Sequence, residues 1–252
     1  MRIVSLAPSN TEILFALGVG DQVVGVTHFC DWPSQVSEKT KVGSWIQTDP
    51  KKIAALKPDL IMTSYYLPDP LKSWSGPGSV VHVVPKTLAD VYESILHIGD
   101  AVGARGRALD IVDEMKRDFA EIAASTTGVA RPRVYMEEWH DPPMASGNWV
   151  PELVEIAGGV AGVSIKGAPS AVFSFEALTQ FDPDLMVFHW CGIPEHLFSK
   201  IIPRRVQKWK ELRAMRNGAT IFLEDSLLNR PGPRLVEGAR RLHKVFQDAE
   251  LI

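Results

Sequence analysis

Cysteine is scarce in these 252 residues: Cys30 and Cys191 lie far apart and neither sits in a C-x-x-C, so no zinc knuckle, redox pair or disulfide framework is written in the chain. An excess of one charge is also lacking. The formal net charge is −3 and the 27 Lys and Arg residues are dispersed rather than gathered into a stripe, which excludes the electrostatic footprint of a nucleic-acid binder. No long apolar run opens the chain. The first twenty residues carry one Arg and are interrupted at Pro8-Ser9-Asn10-Thr11-Glu12, so neither a signal-peptide core nor a membrane span reads there. Phosphate loops, dinucleotide glycine fingerprints and nucleophile motifs are missing too.

What is present is a repeat. With 45% hydrophobic and 23% charged residues the chain can bury one large core or two smaller ones, and the same order of elements occurs twice. Arg2-Ile3-Val4-Ser5-Leu6 and Arg133-Val134-Tyr135-Met136 read as short buried strands that lead into helices. In the first copy Ser9 to Glu12 reads as a capping box with Ser9 as N-cap, and the helix stops at Gly18; in the second a helix starts at Pro151-Glu152 and stops at Gly158-Gly159. Ile53 to Met62 and Ala177 to Val187 then share a pattern of helix, Pro-Asp turn and apolar strand. A further strand follows in each half, at Val80–Val84 and Thr220–Leu223, with another helix near Leu88 or Arg234. Strands alternating with helices predict an α/β fold of two Rossmann-like lobes with mainly parallel sheets. Between them, Leu109, Val112, Met115, Phe119 and Ile122 mark an amphipathic helix. The expected division is therefore an N-terminal lobe at 1–104, one long connecting helix at 105–126 and a C-terminal lobe at 127–252. A stiff helical connector predicts little change of angle when a ligand binds.

In open parallel sheets ligands bind outside the carboxyl ends of the strands. The residues at those ends are Ala7-Pro8-Ser9-Asn10, Thr27-His28-Phe29, Ser64-Tyr65-Tyr66, Glu138-Trp139-His140, His189-Trp190 and Glu224-Asp225, and four of the six stretches carry an aromatic ring although aromatics make up only 8% of the chain. Flat amphipathic rings with a few polar groups suit a large, mostly apolar ligand with polar edges, bound in a cleft between the lobes. The candidate binding set is Ser9, Asn10, Phe29, Tyr65, Tyr66, Trp139, Trp149, His189 and Trp190. Phe29 and Trp149 have an alternative reading as core residues, and one of the adjacent pair Tyr65-Tyr66 should pack inward while the other reaches the ligand. His28, His140 and His189 lack metal-ligand spacing and read as hydrogen-bonded structural histidines, so no bound metal is expected. Glu137, Glu138 and His140 admit a hydrolase or corrinoid-handling enzyme, but no nucleophile accompanies them and no catalytic residue is assigned.

Along Ser5-Leu6-Ala7-Pro8-Ser9-Asn10-Thr11-Glu12, Val24-Gly25-Val26, Asp31-Trp32-Pro33 and Ile53 to Leu60, and again at Asp141-Pro142-Pro143, Ser146-Gly147, Glu152 to Gly159 and Pro233-Arg234, the chain resembles the helical-backbone class of solute-binding proteins of ABC importers. The stretch Glu137 to Pro143 with Trp149-Val150-Pro151-Glu152 is most similar to the vitamin B12-binding branch. This resemblance implies a non-enzymatic, monomeric protein that captures a cobalamin-like corrinoid, as transported ligand and not as cofactor, and delivers it to an ABC permease dimer. Haem or a ferric siderophore is the alternative ligand for the same fold. The resemblance places Phe29 and Tyr65 at ring-contact positions, puts Leu227 where a stacking Trp can stand, and puts Asn229 and Asp69 where transporter-facing acids are expected. It implies an extracytoplasmic location. With no export signal legible, a cytosolic location stays open beside it.

Overall fold

The computed structural model describes residues 1–44, 46–128 and 130–249. Its contacts divide the chain into two compact units, Met1–Pro85 with Ala89–Met115, and Lys86–Leu88 with Lys116–Ile252.

In the first unit, strands β1 (Ile3–Ser5), β2 (Val23–Val26), β3 (Thr40–Lys41), β4 (Leu60–Ser64) and β5 (Ser79–Val83) form one sheet in the order β3-β2-β1-β4-β5, every neighbouring pair parallel. The central strand β1 is buried throughout, as a strand covered on both faces must be. Val4, Leu6, Val42, Ile53, Ile61 and Leu71 form one apolar cluster of this unit. Helices α1 (Pro8–Ala16), α2 (Pro50–Ala55), α3 (Asp69–Lys72) and α4 (Leu88–Ala101) alternate with the strands. Helix α1 begins earlier than the capping-box reading places it. Its N-cap is Ala7, Pro8 occupies the first turn, and no side chain caps it, because proline's fixed φ already suits the first helical position. Helix α5 (Arg105–Ser125) is 21 residues long, about 31 Å at about 1.5 Å per residue. The boundary between the units falls within it. Its buried stripe is Ala108, Ile111, Val112, Met115, Phe119 and Ile122, with Leu109 turned outward at 43% exposure.

In the second unit, β6 (Arg133–His140), β7 (Pro143–Ala145), β8 (Val160–Ala161), β9 (Ala171–Val172), β10 (Leu185–Phe188) and β11 (Thr220–Phe222) form a mixed sheet in the order β11-β10-β6-β7-β9, with β8 also on β6. β6, β10 and β11 are parallel, while β7 runs antiparallel to both β6 and β9. Helices α6 (Val150–Ile156), α7 (Phe175–Phe181), α8 (Glu195–Lys208), α9 (Arg213–Arg216) and α10 (Leu235–Asp248) complete the unit. No helix among the described residues is long and apolar enough to cross a membrane.

The repeat read in the sequence is a repeat of hydrogen bonds. In each unit the Pro-Asp turn carries an aspartate that accepts the backbone N–H of the arginine heading the first strand: Asp59 from Arg2 at 2.7 Å, Asp184 from Arg133 at 2.8 Å. Each arginine side chain then donates to the carbonyl near the end of the preceding helix, Leu56 or Phe181. The residue before each proline, Lys57 or Asp182, takes a positive φ of 46° or 45°, which reverses the chain out of the helix. One device thus seats the middle strand against its neighbour in both units.

Candidate functional site

At the carboxyl ends of the first unit's strands the rings lie in water. Phe29 is 51% exposed, Tyr65 42% and Tyr66 36%, and Trp32 adds a fourth ring at 51%. Alternation along a strand does not govern the tyrosine pair, because β4 ends at Ser64. Tyr65 has φ 62°, and the N–H of Tyr66 donates to the carbonyl of Ser64 at 2.7 Å, a three-residue γ-turn that leaves both rings outside. Beneath them, the Thr11 hydroxyl donates to Ser5 Oγ at 2.8 Å and meets Cys30 Sγ at 3.2 Å, and Lys41 Nζ holds the Cys30 carbonyl at 3.1 Å. These contacts fix the loop that carries Phe29. Ser9 and Asn10 face inward on α1, and neither atom of the Asn10 amide has a hydrogen-bond partner among the described residues.

The second unit treats its rings differently. Trp139 stays at the surface, 38% exposed, its indole N–H bonded to the Asp141 carbonyl at 2.9 Å. Trp190, Trp149 and His189, which the sequence places beside it, lie in the interior. Trp190 is fully buried among Phe188, Phe198 and His140 because α8, a helix the sequence reading did not assign, lies over it and supplies Phe198. Its indole N–H donates to Glu137 Oε1 at 2.9 Å. The same carboxylate receives Arg205 from α8 on both oxygens, at 2.7 and 2.5 Å, and the Tyr135 hydroxyl at 2.7 Å. Burial pushes the Glu137 carboxyl up to about 7, while Arg205, Tyr135 and Trp190 hold it down. Arg205 also stacks on Trp209, its guanidinium carbon 4.3 Å from the ring centre, and donates to the His140 carbonyl. Every atom of this acid is spent on structure, so the hydrolase reading loses its first carboxylate.

Trp149 stands at the N-cap position of α6 without capping it, its indole N–H donating to the Leu228 carbonyl at 2.8 Å. His189 is fully enclosed between Ser146 Oγ and Asn229 Oδ1, each at 2.6 Å. The Asn229 amide N–H bonds the His189 carbonyl, so its oxygen faces Nδ1. The imidazole therefore carries its proton on Nδ1 and accepts from Ser146 on Nε2. Burial depresses its pKa to about 4, against the opposing pull of Asn229, which leaves it neutral. Asn229 is thus an internal partner, a role the sequence does not signal. At the same strand ends, Glu138 bonds Ser170, and burial with the nearby Asp225 raises its pKa in spite of that bond; Asp225 accepts the Gly192 N–H at 3.1 Å. Among the described residues no three His, Cys, Asp or Glu side chains are placed to hold a metal ion.

Residues 3–227 match the family model described as periplasmic binding protein. The chain belongs to that family. The match spans both units of this periplasmic binding protein. An ABC transporter substrate-binding lipoprotein of Bacillus subtilis, YvrC, is 30% identical over 258 residues, which cover 96% of this chain and 78% of that protein. A vitamin B12-binding protein of Vibrio cholerae is 28% identical over 251 residues, covering 96% and 87%. Two solved structures are among those that share the fold. The vitamin B12-binding protein BtuF of Vibrio cholerae has a TM-score of 0.79 at 24% identity, covering 99% of this chain and 97% of its own. The heme-binding protein RhuT from Roseiflexus sp. RS-1 has 0.82 at 22%, covering 98% of each.

Proposed function

We propose that this periplasmic binding protein is the non-enzymatic, extracytoplasmic capture subunit of an ABC importer and that its transported ligand is a cobalamin-like corrinoid. The observation that carries this reading is the group of water-exposed rings just past the strand ends, Phe29, Trp32, Tyr65 and Tyr66 in the first unit and Trp139 in the second. Rings of this size cost free energy in water unless something covers them, and each ring stacked on a macrocycle contributes about 1 kcal/mol beyond simple area burial. The carboxyl groups of Glu138 and Asp225 at the second unit's strand ends favour a macrocycle fringed with neutral amides, whose N–H groups can donate to them, over one fringed with carboxylates. No metal held by protein side chains is part of this reading. The vitamin B12-binding relatives agree with it.

One observation favours haem instead: His28 and Tyr65, exposed past the ends of β2 and β4, the two strands that flank β1, are residue types that ligate iron. Visible-absorbance titration of the full chain with cyanocobalamin, haemin and a ferric siderophore separates the readings. The expected result is saturable binding of cyanocobalamin at one equivalent. Tight haemin binding with a Soret shift that disappears in His28→Ala, and no response to cyanocobalamin, would replace the corrinoid with haem.

A further inference from the structure

We infer that the second unit carries a separate small-molecule site, a pocket for a flat, apolar monoanion of the aromatic carboxylate class. The inference goes beyond corrinoid capture and does not rest on it. The cavity, of about 330 Å³, is lined by Pro143 of β7, Val172 of β9, Phe173, Phe175 at the start of α7, and Lys208 and Trp209 at the end of α8. Pockets of this size lie at the small end for ligand sites and hold one or two fused rings, far less than a macrocycle.

The walls are aromatic and one of them is fixed. Phe173 and Phe175 meet the Trp209 indole at centroid distances of 6.2 and 5.8 Å, inclined by 71° and 39°. The indole is itself held by the Arg205 guanidinium stacked on it at 4.3 Å and by Tyr135 edge-on at 5.9 Å. Val172 at 60% and Phe175 at 39% exposure leave apolar surface at the mouth facing water. Such surface, beside a concave wall of rings, is where a flat apolar body gains most from burial.

Lys208 sets the charge of the ligand, because it is the single cation among otherwise apolar lining residues. The other nearby cations are consumed: Arg205 by Glu137, Arg213 by Asp182 and Asp184. Lys208 is exposed and has no ion pair among the described residues, and the same holds for Lys200 and Arg204, which precede it at four-residue spacing on one face of α8. Lys208, at the pocket itself, is the positive charge that attracts an anion to the mouth, and Arg204 and Lys200 extend the same positive face along α8. A carboxylate at the rim keeps part of its hydration while its ring enters the pocket, so the charge escapes the desolvation cost of full burial.

The probe is 2-naphthoate, with the neutral isostere 2-naphthalenemethanol as comparison, each titrated calorimetrically into the full chain. The expected result is saturable one-to-one binding of naphthoate, weakened about tenfold in Lys208→Gln, with the alcohol binding the two proteins alike. Phe175→Ala weakens both probes, and saturating cyanocobalamin displaces neither. Both variants change exposed side chains, and circular dichroism checks that they fold. Absence of saturable naphthoate binding in the folded protein overturns the site. Unchanged naphthoate affinity in Lys208→Gln overturns the anion assignment. Displacement by cyanocobalamin overturns its separateness, whereas loss of cyanocobalamin binding alone touches only the corrinoid reading.

Discussion

The two units are alike at one end of their strands and unlike at the other. At the amino ends the arrangement is duplicated bond for bond: Asp59 and Asp184 accept the N–H of Arg2 and Arg133, and the two arginines tie down Leu56 and Phe181. At the carboxyl ends the first unit leaves Phe29, Trp32, Tyr65 and Tyr66 in water, while the second draws Trp190 and His189 inside and keeps Trp139 at the surface. The difference shows that a strand-end aromatic becomes exposed surface or core according to what covers it. Over the second unit lies α8, whose Arg205 needs a buried partner; Glu137 supplies it, and Trp190 comes inward with Glu137. The shared ends make the fold, and the divergent ends hold the exposed rings proposed as the site.

The largest effect should come from breaking the device peculiar to the second unit. Arg205→Ala leaves the Glu137 carboxylate enclosed without its counter-charge, which should lower the unfolding free energy by about 3–5 kcal/mol in urea melts. Next in size is the acid sensitivity that the enclosed His189 gives the second unit. His189 is held neutral with a folded-state pKa of about 4, below its ordinary 6.5, so between those values the unfolded chain binds the extra proton. The contribution of His189 to stability should therefore fall as the pH drops from 6.5 towards 4, by up to about 3 kcal/mol, since one pKa unit corresponds to about 1.4 kcal/mol. It does so against the opposite trend of Glu137, whose carboxyl, raised to about 7, favours the folded state over the same range. Urea midpoints measured across that range in the parent and His189→Gln proteins check it: a slope equally steep in the variant sinks the assignment.

The shared ends should respond in parallel. Asp59→Ala and Asp184→Ala should each cost about 1–3 kcal/mol, the value of a hydrogen bond to a charged acceptor. The loss should be larger for Asp184, which also pairs with Arg133 and Arg213. Smallest in stability, and confined to binding, are the exposed rings. Phe29→Ala should leave the urea midpoint within about 0.5 kcal/mol of the parent, as surface changes do. It should weaken cyanocobalamin about tenfold, equivalent to about 1.4 kcal/mol. Trp190→Phe should do the reverse, lowering stability with little change in affinity. If the two swap behaviour, the division between surface and core rings drawn here is wrong.

Most of the architecture is legible in the sequence because it rests on local signals. Short apolar runs, the helix that precedes each Pro-Asp turn and the repeat of that unit place β1, β4, β6 and β10 within a residue or two, apart from the extension of β6 to His140. The antiparallel β7–β9 edge is not legible, since strands of two or three residues carry no measurable alternation. Neither is α8, where Pro203 inside the helix masks an apolar stripe, Leu197, Phe198, Ile201, Ile202 and Val206, that is otherwise spaced as a helix. The site divides in the same way. Phe29, Tyr65 and Trp139 follow from the rule that ligands meet strand ends, which needs only local reading. The burial of Trp190 depends on Arg205 reaching Glu137 across 68 positions, and no window of sequence reports such a pairing.

Tyr65 occupies a backbone region that costs a side chain of its size about 1–3 kcal/mol, and the rest of the first unit has to impose it. That cost falls on folding, before any ligand arrives. A ring displayed on a relaxed loop would have to give up its freedom at the moment of encounter, at about 0.5–1.5 kcal/mol for each immobilised side chain. If Tyr65 meets the ligand as proposed, the tight turn after β4 moves that loss of freedom from the binding step to the folding step. Tyr65→Gly, which relieves the turn and removes the ring, should therefore make the protein no less stable and a poorer binder, and Tyr66, freed to wander on a glycine hinge, should lose part of its own contribution even though its side chain is untouched.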